Sequence, residues 1–219
     1  MNPRILTVTG QGNVDAPADK VVLAFNVSAS QHRYSESVMV LNEKVERLRQ
    51  VITHQGLSPG DLKTTSFNIS PNYELVNGQR VLSGFAARHG LRLELPFDKQ
   101  RLNAMIDGLA GSGSESNFSI TFTVEDTAAL QKSALQAAVA DAAGKAAVIA
   151  EAAGVQLGGI LKIDYSRMVI EFDTPSFDRD CSYSYAMGAP PHPDIEPDDV
   201  STGTAITVVW ALHDQQPTA

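Results

Sequence analysis

Apolar and polar residues change period several times along the chain. Leu6 and Val8 alternate with polar neighbours between Ile5 and Val14, and Val21, Leu23, Phe25, Val27 and Ala29 occupy every second position from Lys20 to Ser30. Successive side chains of an extended strand point to opposite faces, so this spacing predicts two strands with a turn at Pro17 and Asp19. The period then lengthens. Val38, Leu41, Val45, Leu48 and Ile52 recur three and four apart, the spacing of one buried helical face, with Ser35 placed to cap the start and Gly56 the end.

Period two returns at Thr65, Phe67, Ile69, Pro71, Tyr73 and Leu75, which predicts a half-buried strand that Pro71 assigns to an edge or a bulge. Asn77-Gly78 is a hairpin turn signal, and Val81, Phe85, Ala87, Leu91, Leu93 and Leu95 share one side of the return strand. A strict two-residue turn pairs Tyr73 with Leu82, which puts the odd-numbered apolar positions of the two strands on opposite faces. A bulge or a three-residue loop is therefore expected. Asp98 can cap a short helix with Leu102, Met105, Ile106 and Leu109 inward, and Phe118, Ile120, Phe122 and Val124 form the next strand.

From Thr127 to Ala153 about half of the residues are alanine, which favours a long helix. Leu135, Val139, Ala142, Ala146, Ile149 and Ala153 are its expected buried face, with Asp141 and Lys145 an i,i+4 pair and Gly144 kept for close packing. Gly154 ends it, and Leu157 to Phe172 reads as a strand. Residues 173–199 hold five prolines and several acids with little periodicity, an irregular excursion of a length that is either mobile or used for contacts. Ile206, Val208, Trp210 and Leu212 mark a last strand.

Long hairpins interrupted by single helices predict an α+β fold: antiparallel sheet or sheets with helices packed on one side. The domain spans residues 5–212, with sub-domains expected at about 5–112 and 113–212.

The formal charge of -8 over 219 residues repels phosphate backbones on average, so nucleic acid is not an expected partner. No apolar run approaches the roughly 18 residues that span a bilayer. One cysteine, Cys181, excludes an intrachain disulfide and paired-thiol chemistry. The start Met1-Asn2-Pro3-Arg4 has no export-leader pattern, which implies a cytoplasmic protein if Met1 is the native start.

Gly10-Gln11-Gly12 after a strand invites a dinucleotide-binding reading, but Asp15 stands where the third glycine is needed and a strand follows where a helix is required. The chain holds no nucleophile elbow, phosphate-binding loop or paired-histidine zinc motif, and His32, His54, His89, His192 and His213 lack ligand spacing. No catalytic residue and no cofactor is therefore expected; the alternative is an enzyme or metal-binding protein with a cryptic site in residues 173–199. Asp178, Asp180, Cys181 and His192, with Asp194 and Glu196 nearby, are weak candidates for a divalent metal; a solvated acidic loop is the simpler account. Tyr183, Tyr185 and Met187 are apolar residues without a periodic home, which makes them interface candidates. Self-association is expected, because long edge strands have to be covered.

Several segments, in order, resemble one family. They are Val8-Thr9-Gly10-Gln11-Gly12 with Pro17-Ala18-Asp19; Lys63-Thr64-Thr65-Ser66-Phe67 with Pro71 and Tyr73; Gly84-Phe85; and Ala134, Ala138, Ala142, Lys145-Ala146, Ala153-Gly154 and Leu157-Gly158. Between about Val8 and Leu212 the chain resembles the SIMPL family, whose bacterial members include periplasmic immunogenic and oxidative-stress-defence proteins. Phe85 replaces a usual tyrosine, and Pro197-Asp198-Asp199 stands before the last strand where a glycine is common. The resemblance implies a scaffold with a stress-tolerance theme, an envelope location if a leader was removed, and no established catalytic position.

Overall fold

The computed structural model describes residues 4–112, 117–165, 176–179 and 195–214. Its elements are β1 (Ile5–Ala16), β2 (Lys20–Gln31), α1 (Tyr34–His54), a 3-10 turn (Pro59–Asp61), β3 (Lys63–Val76), β4 (Gln79–Pro96), α2 (Lys99–Gly111), β5 (Asn117–Thr123), α3 (Thr127–Ala152), β6 (Val155–Asp164), β7 (Ser176–Arg179) and β8 (Val200–Asp214). All strand pairs are antiparallel, in two sheets, and the fold is α+β.

Two compact units result, and they are not consecutive halves. β1, α3, β6 and β8 make one; β2 to β5, β7, α1 and α2 make the other. The sub-domains expected at 5–112 and 113–212 are corrected accordingly. β1 pairs with β8 from Ile5↔Ala211 to Ala16↔Val200, and β5 pairs with β2 along its whole length. Pairing between the first and last strands leaves no trace in local periodicity.

In the first unit the sheet runs β1-β8-β6 and α3 lies across it. The buried row of α3 is Leu130, Ala134, Ala138, Ala142, Ala146 and Ala150, each four residues from the last. Ala142 and Ala146 of the expected face are buried, but Val139 and Ile149 are exposed, which corrects the face there. The reason lies on β1. A Cβ at Gly10 would lie less than 3.0 Å from Ala138 O and Ala142 N, and one at Gly12 less than 3.0 Å from Ala134 O and Ala138 N. Glycines on the strand and alanines on the helix let the two backbones meet, so the bulky residues are turned away. Gly144 has open space around it, which corrects the close packing expected there.

In the second unit the sheet runs β3-β4-β2-β5-β7, and α1 packs on β2, β4 and α2. Leu23, Phe25, Leu41, Leu48, Ile52, Leu91, Leu93, Met105 and Phe122 fill its core. Removal of this much apolar surface from water is the main stabilising term. The N-cap of helix α1 lies two residues before the expected Ser35: it is Arg33, which makes no side-chain cap bond. The buried hydroxyl is that of Ser37, which accepts from Gln31 N–H at 3.1 Å and donates to Phe85 O at 2.8 Å. Asp98 caps α2 as expected, accepting from the Gln100 and Arg101 amides.

The β3–β4 hairpin resolves the register conflict with a bulge. Asn77 and Gly78 have φ of 53° and 81°, a two-residue turn that pairs Tyr73 with Leu82. Ser83 is then skipped, Asn72 pairs with Gly84, and odd positions face odd positions from Pro71↔Phe85 to Phe67↔His89, before a second shift passes over Thr65. Gly84, at φ 152°, passes so close to Gln31 O that a side chain would collide with it. The expected half-burial of β3 is corrected: it is an edge strand, and Phe67, Tyr73 and Leu75 are exposed.

Within residues 173–199, Ser176–Arg179 form β7, which pairs with β5, and Ile195, in a stretch without regular secondary structure, is buried in the core of the second unit.

Candidate functional site

The glycine motif within β1 is a docking slot for α3, and its edge chemistry follows from that. Asp141 Oδ2 accepts the Gln11 amide at 2.7 Å, while Lys145 Nζ lies 2.7 Å from Asp141 and 3.5 Å from Thr9 O. The i,i+4 pair of α3 thus satisfies backbone groups on the open side of β1. Lys145 and the Gln11 amide together hold the Asp141 carboxyl below the usual carboxylate range.

Of the candidates in the excursion, Asp178 lies on β7, opposite Ser119 of β5. Asp180, Cys181, Tyr183, Tyr185, Met187, His192 and Asp194 lie outside the described residues. Glu196 is bound at 3.2 Å by Lys99. Among the described residues no group of three or more His, Cys, Asp and Glu side chains could hold a metal.

The described histidines have separate surroundings. His32 Nδ1 lies 2.9 Å from Ser83 O and His54 Nδ1 lies 2.8 Å from Gln50 O. His89 is the most constrained. Its Nε2 shares a hydrogen bond of 2.9 Å with the Thr64 hydroxyl, Phe67 meets the ring edge-on at 5.3 Å, and Nδ1 is buried with no partner. Burial pushes the imidazole pKa below its ordinary value, and the Arg49 cation pushes it the same way. A neutral ring with a buried orphan nitrogen is poorly placed for proton transfer to a solvent-borne substrate. Arg49, which pairs with Glu46 at 3.6 Å, lines with it an open cleft of about 590 Å³ together with Gln50, Thr53, His54, Pro59 and Gly60.

Tyr73, Leu75 and Val81, placed on half-buried faces by their alternation, are instead part of an exposed apolar surface of the second unit. β2 ends at the pair Gln31↔Phe85, so β3 and β4 continue beyond it as a two-stranded arm from Asn72 to Gly84. Tyr73, Leu75, Val76, Val81 and Leu82 of this arm are all exposed, Leu75 to 76%. Tyr73, Leu75, Arg80 and Leu82 share one face by register, with the Arg80 guanidinium 5.0 Å from the Tyr73 ring centre; Glu74, Val76, Gln79 and Val81 share the other. In the first unit, β6 exposes Ile160, Leu161 and Ile163, with Tyr165 just after it. The alternation of β3 and β4 signalled apolar faces, but only the end of β2 shows that among the described residues no further strand pairs alongside this arm.

Fold and surface together define an α+β protein with glycine-and-alanine packing in one unit, a conventional core in the other, and apolar strand surfaces in both. The chain belongs to the SIMPL family, described as "Protein of unknown function (DUF541)", which it matches over residues 6–210. It is 26% identical over 165 residues to the uncharacterized protein YggE of Edwardsiella ictaluri, covering 74% of this chain and 68% of the relative. It is 24% identical over 166 residues to the 26 kDa periplasmic immunogenic protein of Brucella melitensis (74% and 66%), and 24% identical over 164 residues to YggE of Escherichia coli (74% and 65%). The matched segment spans about two thirds of the length of these relatives.

Proposed function

We propose that this protein is a self-associating scaffold of the bacterial envelope that acts through its surfaces and carries out no reaction. The observation that carries this reading is the placement of exposed Tyr, Leu, Ile and Val side chains on strands of both units. Single exposed apolar residues are ordinary, but groups of them on neighbouring strand positions mark interaction surfaces. The apolar residues Tyr183, Tyr185 and Met187 extend the same reading, as further contacts between copies. The envelope location rests on the periplasmic designation of the Brucella relatives, and the link to oxidative-stress tolerance on the family theme. Light scattering of the purified chain at micromolar concentration tests the central claim. A mass of two or more chains is expected, and a monomer at every concentration would overturn it. Fractionation of cells making the native protein tests the location, with recovery in the periplasmic fraction expected.

A further inference from the structure

We propose that the arm from Asn72 to Gly84 is the self-association element, and that its occupant is the same arm of a second copy, paired edge to edge along β3. This rests on the self-association proposed above and names the surface that carries it.

The edges of the two sheets differ in how far another strand can add to them. On β1 the open side is occupied by Asp141 and Lys145. β6 has two register shifts within ten residues, so no regular ladder can run along it, and β7 is four residues long. On the arm itself, His32 holds the Ser83 carbonyl on the β4 side. On the β3 side Pro71 has no N–H to donate, so its nitrogen fits only the open side of an edge strand, which blocks pairing at that point. The same alternation puts the N–H and C=O groups of Tyr73 and Leu75 on the open side. Asn72 to Val76 is therefore a short regular edge on which the backbone groups of Tyr73 and Leu75 face outward.

The geometry favours a second copy over an unrelated strand. A ribbon of two strands is marginal in water, whereas two such ribbons joined through β3 make a four-stranded antiparallel sheet. Leu75 is an outward-facing residue, so a two-fold axis through it gives a hydrogen-bonded pair of Leu75 with its own equivalent. That register sets Glu74 against Val76 and Tyr73 against Asn77 of the other copy, and no charge faces a like charge. Across the sheet the order becomes Arg80, Leu75, Leu75, Arg80, which covers the most exposed large side chain of the arm on one side. Symmetric closure of this kind is the commonest way for identical chains to associate.

Two measurements test the proposal. Leu75→Asp places a charge against its own equivalent, and because Leu75 is exposed the fold should persist, as far-UV circular dichroism will show. Light scattering should then give at most half the wild-type mass. Separately, in a Cys181→Ser background, Glu74→Cys and Val76→Cys chains are produced together and mildly oxidised. The closely spaced 74–76 pair should give a cross-linked dimer far more readily than either variant alone. A wild-type assembly that keeps its mass in Leu75→Asp and fails to cross-link would overturn the arm while leaving self-association intact. A monomeric wild type, or an arm that cross-links only to a different protein in cell extract, would overturn the pairing of copies itself.

Discussion

The two units build a helix-on-sheet layer by opposite means. In the second unit Leu41, Leu48 and Ile52 of α1 keep the helix away from the sheet and fill the gap with large side chains. In the first, α3 presents alanines, and Gly10 and Gly12 remove the last obstacle between helix and strand backbones. The same layer thus tolerates different errors. A core of large side chains loses contacts when one is shortened, whereas a core of apposed backbones fails when anything is added.

The largest expected effect follows from that contrast. Gly12→Val puts a branched side chain where even a Cβ would lie less than 3.0 Å from α3 backbone atoms, which cannot swing aside as a side chain can. We expect about 3 kcal/mol of destabilisation or more, the upper end of overpacking costs, because the whole helix has to lift. Trp210, the single tryptophan, is buried in this unit, so its fluorescence during urea unfolding reads the loss directly. A Gly12→Val chain with an unchanged midpoint would show that helix and strand are not in contact there.

Next in size is the reverse change in the other unit. Leu48 is fully buried, and Leu48→Ala should cost about 2–5 kcal/mol through lost transfer free energy and the cavity left behind. The same truncation logic has nothing to act on along the α3 row beyond Leu130, where the residues from Ala134 to Ala150 are already alanine. Far-UV circular dichroism during urea unfolding measures the loss, and a change below about 1 kcal/mol would mean that the site collapses around the smaller side chain.

Much of this contrast was legible in the sequence, and its failures have one cause. The helical period, the Asn77-Gly78 turn and the register conflict at Tyr73 and Leu82 are local patterns, and the bulge at Ser83 is the outcome they required. Which face of α3 is buried was not local. Val139 and Ile149 are the residues a periodicity argument selects, and only the glycines of a strand more than 120 positions away exclude them. The exposure of the arm depends likewise on where β2 stops, at Gln31, and the buried place of Ile195 on a core assembled from distant segments. Sequence reasoning named the glycines, alanines and edge strand but could not tell which side of each would be covered.

A smaller effect sharpens the same point. Gly144 lies in the interior of α3 with open space where a Cβ would go, and its φ is unexceptional. Gly144→Ala should therefore stabilise the helix by roughly 0.5–1 kcal/mol, the usual cost of glycine within a helix, read as a higher urea midpoint of Trp210 fluorescence. Added volume would then be harmful at Gly12 and helpful at Gly144, on opposite sides of one helical layer. A loss of stability at Gly144 instead would mean that another surface closes over this position.

The smallest expected effect concerns pH and belongs to the second unit. His89 has its pKa lowered in the folded chain by burial, with the Arg49 cation adding to it, so the unfolded chain takes up the proton at the higher pH. Protonation therefore favours unfolding. The contribution of the neutral ring is intact above the ordinary histidine range and is lost as pH falls through that range toward the lowered folded value. Glu94, whose carboxyl is lowered by the Lys20 hydrogen bond and by Arg92, gives its own loss only at more acidic pH, as the folded carboxylate takes up a proton. His89→Gln keeps a polar side chain without the titration. Urea midpoints by circular dichroism at pH 7 and pH 5 should then differ less in the variant than in the wild type. Equal differences would mean that the ring at position 89 is as free to take a proton when folded as when unfolded, and that the edge of this sheet opens readily to water beneath Phe67.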